Sequence, residues 1–201
     1  MGRMTARALY YSDPAAIALF WGLWSIWIAG EVFVLARAFA RRDARTRDRG
    51  SFFVFFGAIF VGFTLGSALV ASVPAAAIQQ GRSAVFVVSL VLMASGIALR
   101  FAAVIILGRF FTPIVKVGDD QHVVEAGPYR WVRHPSYTGG LLIITGALLA
   151  STNWLALIGL LPVLAGLLYR MRVEEQALIE QFGDTYRSYM GRTKRLVPYL
   201  Y

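Results

Sequence analysis

Between two apolar runs lies Gly127-Pro128-Tyr129-Arg130-Trp131-Val132-Arg133-His134-Pro135-Ser136-Tyr137-Thr138-Gly139, a stretch dense in side chains that can do chemistry. It holds two arginines, one of the chain's two histidines, two tyrosines and a tryptophan. Guanidinium groups bind carboxylates and phosphates through paired N–H groups. An imidazole moves protons near neutrality, and aromatic faces attract cations. The prolines and glycines prevent a continuous helix, and broken backbone at membrane depth is tolerated where it is buried in protein or lines a wet cavity. The plainer alternative is an interfacial loop, its rings anchored among headgroups and its arginines on the cytoplasmic side. A second group follows at Arg170 and Glu174, four residues apart and so on one helical face, with Arg172 and Glu175 beside them. Ordinary salt bridges on an exposed helix would produce the same spacing. Ionisable groups at a membrane border, however, tend to mark a site.

The elements that must position these residues are apolar. The chain has 201 residues, 58% hydrophobic and 14% aromatic, with positive mean hydropathy, a composition outside the range of soluble domains. The net charge of +9 lies at the ends of apolar runs and in the loops between them. That distribution suits anionic headgroups and argues against nucleic acid as the partner. The absence of cysteine excludes disulfides, thiolate nucleophiles and cysteine–metal sites, and two histidines make a zinc site improbable.

Five spans are expected, which makes the fold class all-α, an integral membrane helical bundle. The first covers Ala15–Ala38; it is too long for a signal peptide and lacks a small-residue cleavage site. The second covers Phe52–Val73, closed by Pro74, and its Gly62-x-x-x-Gly66 permits close helix approach. The third covers Ser83–Leu107. Residues 110–127 are too polar for lipid. Two shorter runs, Tyr137–Ala150 and Trp154–Tyr169, form a hairpin turned at Asn153. Val173, Ala177, Leu178, Phe182 and Tyr186 recur at helical spacing in the tail, predicting an amphipathic helix on or just outside the membrane. We divide the single membrane domain 1–201 into a scaffold at 15–107 and a functional region at 108–201.

Charge asymmetry predicts orientation. The loop Arg41–Gly50 carries five arginines, and the segment after the third span adds Arg109, Lys116, Arg130 and Arg133. The tail adds six basic residues from Arg170 onward. The positive-inside rule then places the amino terminus outside, and the broken loop and carboxy terminus in the cytoplasm. Glu31 and Arg100 each lie seven residues before a cytoplasmic span end, about 10 Å deep. Equal depth and opposite sign predict a direct or water-bridged pair between the first and third helices. The alternatives are that each snorkels separately, or that Arg100 lines the site cavity.

Taken in order, Gly127-Pro128-Tyr129, Arg133-His134-Pro135-Ser136-Tyr137-Thr138-Gly139, Asn153, Arg170-x-x-x-Glu174-Glu175 and Phe182-Gly183-Asp184-x-Tyr186-x-x-Tyr189, followed by Pro198, resemble the isoprenylcysteine carboxyl methyltransferase family of integral membrane enzymes. The resemblance covers about Asp119–Tyr201, and the same motifs are similar to those of phospholipid N-methyltransferases. It implies methyl transfer from S-adenosylmethionine at a cytoplasmic site roofed by the loop and the tail. Carried over residue by residue, the donor would be held by Gln121, His122, Val123, Val124, Tyr129, His134, Pro135, Ser136, Tyr137 and Glu174. Arg170 would face the acceptor, with Arg172 beside it, and Arg170 and Glu174 would be the catalytic pair. At Gln121 this chain departs from related sequences, which often have histidine there.

Those residue types suit the chemistry. Tyr129 and Tyr137 offer faces for a sulfonium cation or adenine, and Glu174 a partner for an ammonium. An in-line displacement asks chiefly for positioning. A carboxylate acceptor is already ionised and needs only a guanidinium such as Arg170 to orient it; an amine acceptor would need Glu174 or His134 as base. No Gly-x-Gly-x-x-Gly loop occurs, which excludes a Rossmann-type methyltransferase. The expected acceptor is lipophilic, an isoprenylcysteine-like or other isoprenoid or lipid carboxylate. The alternatives are a phospholipid amine, or a non-catalytic lipid-binding protein on the same scaffold. Membrane lipids are expected partners; oligomeric state has no signature in the sequence.

Overall fold

A computed structural model describes residues 13–39, 45–46, 50–111, 116–117 and 122–198. Gln121 and most of the arginine-rich first loop lie outside the described residues. Among the described residues six α-helices run in chain order: α1 (Pro14–Phe39), α2 (Ser51–Ser72), α3 (Arg82–Leu107), α4 (Pro135–Leu149), α5 (Leu160–Phe182) and α6 (Asp184–Arg192). Short 3₁₀ turns link them, among them Gly127–Arg130 and Trp154–Gly159. Strand pairing among the described residues consists of a two-residue antiparallel ribbon, Arg45–Thr46 against Lys116–Val117, and the isolated bridges Ala77–Asn153 and Val132–Lys194.

Among the described residues four segments are long and apolar enough to cross a membrane: Pro14–Ala36, Ser51–Ser72, Arg82–Leu107 and Trp154–Phe182. The apolar helix Pro135–Leu149 is shorter. Large side chains such as Phe53, Phe60 and Ile105 point outward, more than 70% exposed, as a lipid-solvated bundle requires.

Helices in lipid gain little from mutual apolar burial, so small residues set how closely they pack. The helices α3 and α4 meet at Gly96 and Gly139, where a Cβ built on Gly96 would lie 2.6 Å from the Gly139 carbonyl oxygen and one on Gly139 2.7 Å from that of Gly96. On α2, Gly62 lies against the backbone of Gly159, and Gly66 is 3.0 Å from the Ala156 carbonyl oxygen by the same measure. The Gly62-x-x-x-Gly66 pattern therefore seats the start of the last span. Gly96→Ala should force α3 and α4 apart. Overpacking of this kind costs about 1–3 kcal/mol, and a thermal melt in detergent checks it.

The two ends of the bundle are tied differently. At one end the α2–α3 connection meets the α4–α5 turn. Asn153 caps the 3₁₀ turn by accepting from Leu155 N at 3.0 Å and donates to the Val73 carbonyl at 3.3 Å. Ile78 N donates to the Thr152 carbonyl at 2.8 Å, and Arg82 Nε to the Thr152 hydroxyl at 3.1 Å. At the other end the ribbon joins the first loop to the segment after α3, with α5 packed against it.

The tail is helical as expected, but its apolar face packs on protein. The last span continues as one helix past Tyr169; α5 runs unbroken to Phe182, because no glycine or proline interrupts it after Gly166. It stops at Gly183, whose φ of 54° lies in the left-handed region open to glycine. The apolar positions foreseen for a membrane-surface helix turn inward: Val173, Ala177 and Tyr186 are buried, and Leu178 and Phe182 line a cavity.

Candidate functional site

That cavity, about 1180 Å³ of empty space including its open mouth, lies at the ribbon end of the bundle. One wall comes from Glu31 and Leu35 of α1, Phe52, Phe55 and Phe56 of α2, and Arg100 of α3. The segment after α3 contributes Phe110, His122, Val123, Val124 and Tyr129; α4 begins beside it with His134, Ser136 and Tyr137. Arg170, Glu174, Leu178 and Phe182 of α5 and Tyr186 and Tyr189 of α6 complete the lining. The three amino-terminal helices thus supply lining residues alongside the functional region.

The broken loop reaches the cavity by local rules. Gly127, at φ 57°, admits the 3₁₀ turn Gly127–Arg130 with Pro128 in its first turn. Tyr129 is thereby buried, its hydroxyl donating to the Ala103 carbonyl at 3.4 Å. Pro135 then opens α4 at a position where its missing N–H costs nothing. His134 stacks on Tyr137, ring centroids 5.3 Å apart, and the Tyr137 hydroxyl donates to Glu174 Oε2 at 2.6 Å. His134 Nδ1 lies 3.9 Å from the same oxygen.

Glu175 organises the shell behind this group. His134 Nε2 is 3.2 Å from its Oε1, Arg133 Nε donates to Oε1 at 2.9 Å, and Arg195 donates to Oε2 from Nη2 at 2.8 Å and from Nε at 3.1 Å. Arg133 also donates to the carbonyls of Thr193 at 2.5 Å and Met190 at 3.2 Å. Backbone bonds add to this, from Arg133 N to Lys194 O at 2.7 Å and from His134 N to Arg195 O at 3.0 Å. The chain after α6 is therefore fastened along the broken loop.

Arg170 is buried, donating to the Ser51 hydroxyl at 3.0 Å, with Phe52 and Tyr137 ring centroids about 6 Å away. Arg100 and Glu31 form the pair expected from their depth, through Nε to Oε1 and Nη2 to Oε2 at 2.6 Å, and both line the cavity. The pairing and cavity-lining alternatives therefore hold together. Burial, reinforced by Glu174, pushes the phenols of Tyr129 and Tyr186 well above their usual range, and burial with Glu125 does the same for Tyr189. All three present neutral hydroxyls at physiological pH.

Of the residues singled out from sequence, His122, Val123, Val124, Tyr129, His134, Ser136, Tyr137, Arg170 and Glu174 share this cavity. Pro135 is buried and acts through backbone shape, and Arg172 is exposed and outside the lining. Sequence reasoning assigned no role to Glu175 or Tyr189, and passed over Phe52, Phe55 and Phe56 of α2. The doubled glutamate of Arg170-x-x-x-Glu174-Glu175 was the available signal for the first; Phe52-x-x-Phe55-Phe56, at helical spacing beside a basic loop, was the signal for the last.

The helices and the cavity define a multi-pass integral membrane protein with a polar pocket at one end of its bundle. Comparison with known proteins shows what it is similar to: residues 87–180, nearly half the chain, match the isoprenylcysteine carboxyl methyltransferase family. The protein-S-isoprenylcysteine O-methyltransferase of Xenopus laevis is 30% identical over 118 residues, 57% of this chain and 41% of the relative. That of Saccharomyces cerevisiae is 36% identical over 96 residues, 46% and 40% of the two chains. Arabidopsis thaliana protein-S-isoprenylcysteine O-methyltransferase B is 33% identical over 108 residues, 52% and 55%. The matched stretch thus spans 40–55% of these relatives' lengths. A solved eukaryotic intramembrane Ras methyltransferase shares the fold, with a TM-score of 0.65 at 21% identity, over 96% of this chain and 70% of that one.

Proposed function

We propose that this chain is an integral membrane methyltransferase that uses S-adenosylmethionine to methylate the carboxylate of a lipophilic, isoprenylcysteine-like acceptor. The observation that carries the reading is the meeting of Glu174, Tyr137, His134, Tyr129 and Arg170 with an apolar wall of Phe52, Phe55 and Phe56 in one cavity. The donor supplies an electrophilic methyl on a sulfonium cation. The residues present fit it: the Glu174 carboxylate, with 31% of its side chain exposed, suits the donor's ammonium, and Val123, Val124 and the tyrosine rings suit its adenosine. Ser136 and His134 hold the first turn of α4 against it, Pro135 fixing that turn's shape.

Arg170 orients the acceptor. Its guanidinium sits between Phe52 and Tyr137, where a charged head can be fixed while an apolar tail lies on the phenylalanines. Because a carboxylate is already a nucleophile, these residues need only align and shield it. Arg100 and Arg133, which also line the cavity, are paired with Glu31 and Glu175, so the preference for an anionic acceptor over an amine rests on Arg170.

In the membrane we read five crossings, with α4 and the following segment as a hairpin. The ends of α4 lie at the two ends of the bundle, at the cavity and at the Asn153 turn, which supports a crossing despite its length. The cavity and the carboxy-terminal segment face the cytoplasm on the charge asymmetry of the loops. The scaffold 15–107 and functional region 108–201 are the working division. Calorimetric titration of the folded, detergent-purified protein with S-adenosylhomocysteine tests the reading. Saturable binding is expected, and its absence removes the methyltransferase assignment.

A further inference from the structure

An ionised pair inside a bundle is not needed for stability, since apolar residues of similar volume often serve as well or better. Glu31 and Arg100 nevertheless occupy the cavity wall, each side chain 16% exposed. Glu31 is held in place by Trp27, whose Nε1 donates to Oε1 at 3.0 Å. It engages Arg100 along the Nε–Nη2 edge. Nη1 of Arg100 turns instead to Ser136, donating to its hydroxyl at 2.8 Å and approaching its carbonyl at 3.4 Å. A guanidinium has five N–H donors, and these contacts among the described residues use four of them, leaving one N–H of Nη2.

The methyl donor's amino-acid end and a carboxylate acceptor each bring a carboxylate needing a cation. Arg133 is committed to Glu175 and to the Met190 and Thr193 carbonyls. Arg170 lies beside Phe52, on the apolar side suited to the acceptor. Arg100 lies one helical turn before Ala103, whose carbonyl receives the Tyr129 hydroxyl, and Arg100 and Glu174 act with opposite sign on that phenol. A carboxylate-binding and an ammonium-binding group thus stand around one tyrosine.

We propose that Arg100, with Glu31 as its fixed counter-ion and Ser136 as its second anchor, binds the carboxylate of the methyl donor's amino-acid end. This rests on the methyltransferase reading and adds to it a residue of α3 and a counter-ion on α1, the latter outside the family match. It divides the cations between the two substrates: Arg100 for the donor, Arg170 for the acceptor.

The test is calorimetric titration of the full chain with two ligands. One is S-adenosylhomocysteine; the other is S-adenosyl-3-thiopropylamine, which keeps adenosine, sulfur and ammonium and lacks the carboxylate. Two variants are compared with the unmodified protein: the double change Glu31→Leu/Arg100→Met, which leaves no unpaired charge, and Arg100→Lys, which keeps the charge and loses the fork. We expect both to weaken S-adenosylhomocysteine roughly ten- to hundredfold and to leave the thiopropylamine affinity unchanged. Equal weakening of both ligands would reduce the pair to a structural clamp and overturn the proposal, as would no weakening of either. If the double variant does not fold, Arg100→Lys decides alone by the same comparison. An unmodified protein that binds neither ligand removes the methyltransferase reading, and this inference with it. One that binds S-adenosylhomocysteine with an affinity blind to Arg100 removes this inference only.

Discussion

Changing Glu175 to glutamine is expected to loosen the whole ribbon-side end of the protein, although Glu175 is outside the cavity lining and reaches it through Arg133 and His134. The carboxylate is buried, its side chain 4% exposed, and it receives Arg133, Arg195 and His134 together. Removing its charge leaves two guanidiniums facing each other with one neutral amide between them. Breaking a buried ionic cluster from one side costs about 3–5 kcal/mol, which for a chain of this size lowers the melting temperature on the order of 10 °C. The effect should reach function. Arg133 adjoins the stacked His134–Tyr137 pair, and the Thr138 hydroxyl donates to the Leu196 carbonyl at 2.7 Å. Released from Glu175, the chain after α6 should come away from the broken loop, and S-adenosylhomocysteine affinity should fall with it. Thermal melts and calorimetry on the same preparation read both effects. A melting point within a degree or two of the unmodified protein, with binding intact, would show that the backbone bonds between 133–134 and 194–195 suffice without the carboxylate. Glu175→Asp, which keeps the charge on a shorter stem, should fall between the two.

Much of this was legible in the chain. Apolar runs located the first four helices to within a few residues, because runs of that length have few other solutions, but placed the end of the last span thirteen residues early, at Tyr169 rather than Phe182. The Glu31–Arg100 pair followed from depth and sign, since an isolated charge in hydrocarbon has few inexpensive outcomes. Gly62-x-x-x-Gly66 indicated close approach, though not that its partner would be Gly159. What escaped was what depends on tertiary fit. Position 175 differs from 174 by one helical step, about a hundred degrees. Nothing local says which glutamate faces the cavity and which binds the loop behind it. The tail's apolar stripe had the period of a membrane-surface helix, and the same period serves a face packed on protein. Only the docking of residues 193–196 beside 131–134 decides between them. Arg172 shares the basic character of Arg170, yet two residues along a helix carry it to the exposed side.

On the proposed function, Arg170→Ala should lower kcat/KM by about two orders of magnitude or more, the usual scale when a group that orients a reactant is lost, with S-adenosylhomocysteine affinity nearly unchanged. Three features of the site lead there. Arg170 lies with Phe52 and Tyr137 and donates to Ser51, on the side of the cavity lined by α2. Glu174, one turn on, receives the Tyr137 hydroxyl and lies near His134, among the residues assigned to the donor. The two charges therefore serve different substrates although they share a helix face. Glu174→Ala should then weaken S-adenosylhomocysteine directly, and Tyr137→Ala should do so by removing both the ring and the hydrogen bond that orients Glu174. Arg170→Lys separates charge from geometry: an ammonium restores the attraction for a carboxylate but not the planar two-point contact, so partial recovery of turnover is expected. Because Arg170 is buried, its alanine variant needs a melting curve beside the kinetics. A folded variant with normal cofactor binding and almost no turnover is the predicted state. Loss of cofactor binding in Arg170→Ala with retention in Glu174→Ala would reverse the two roles. Loss of both in both variants would mean that the pair acts as one unit, and its free energies could not be divided between the two side chains.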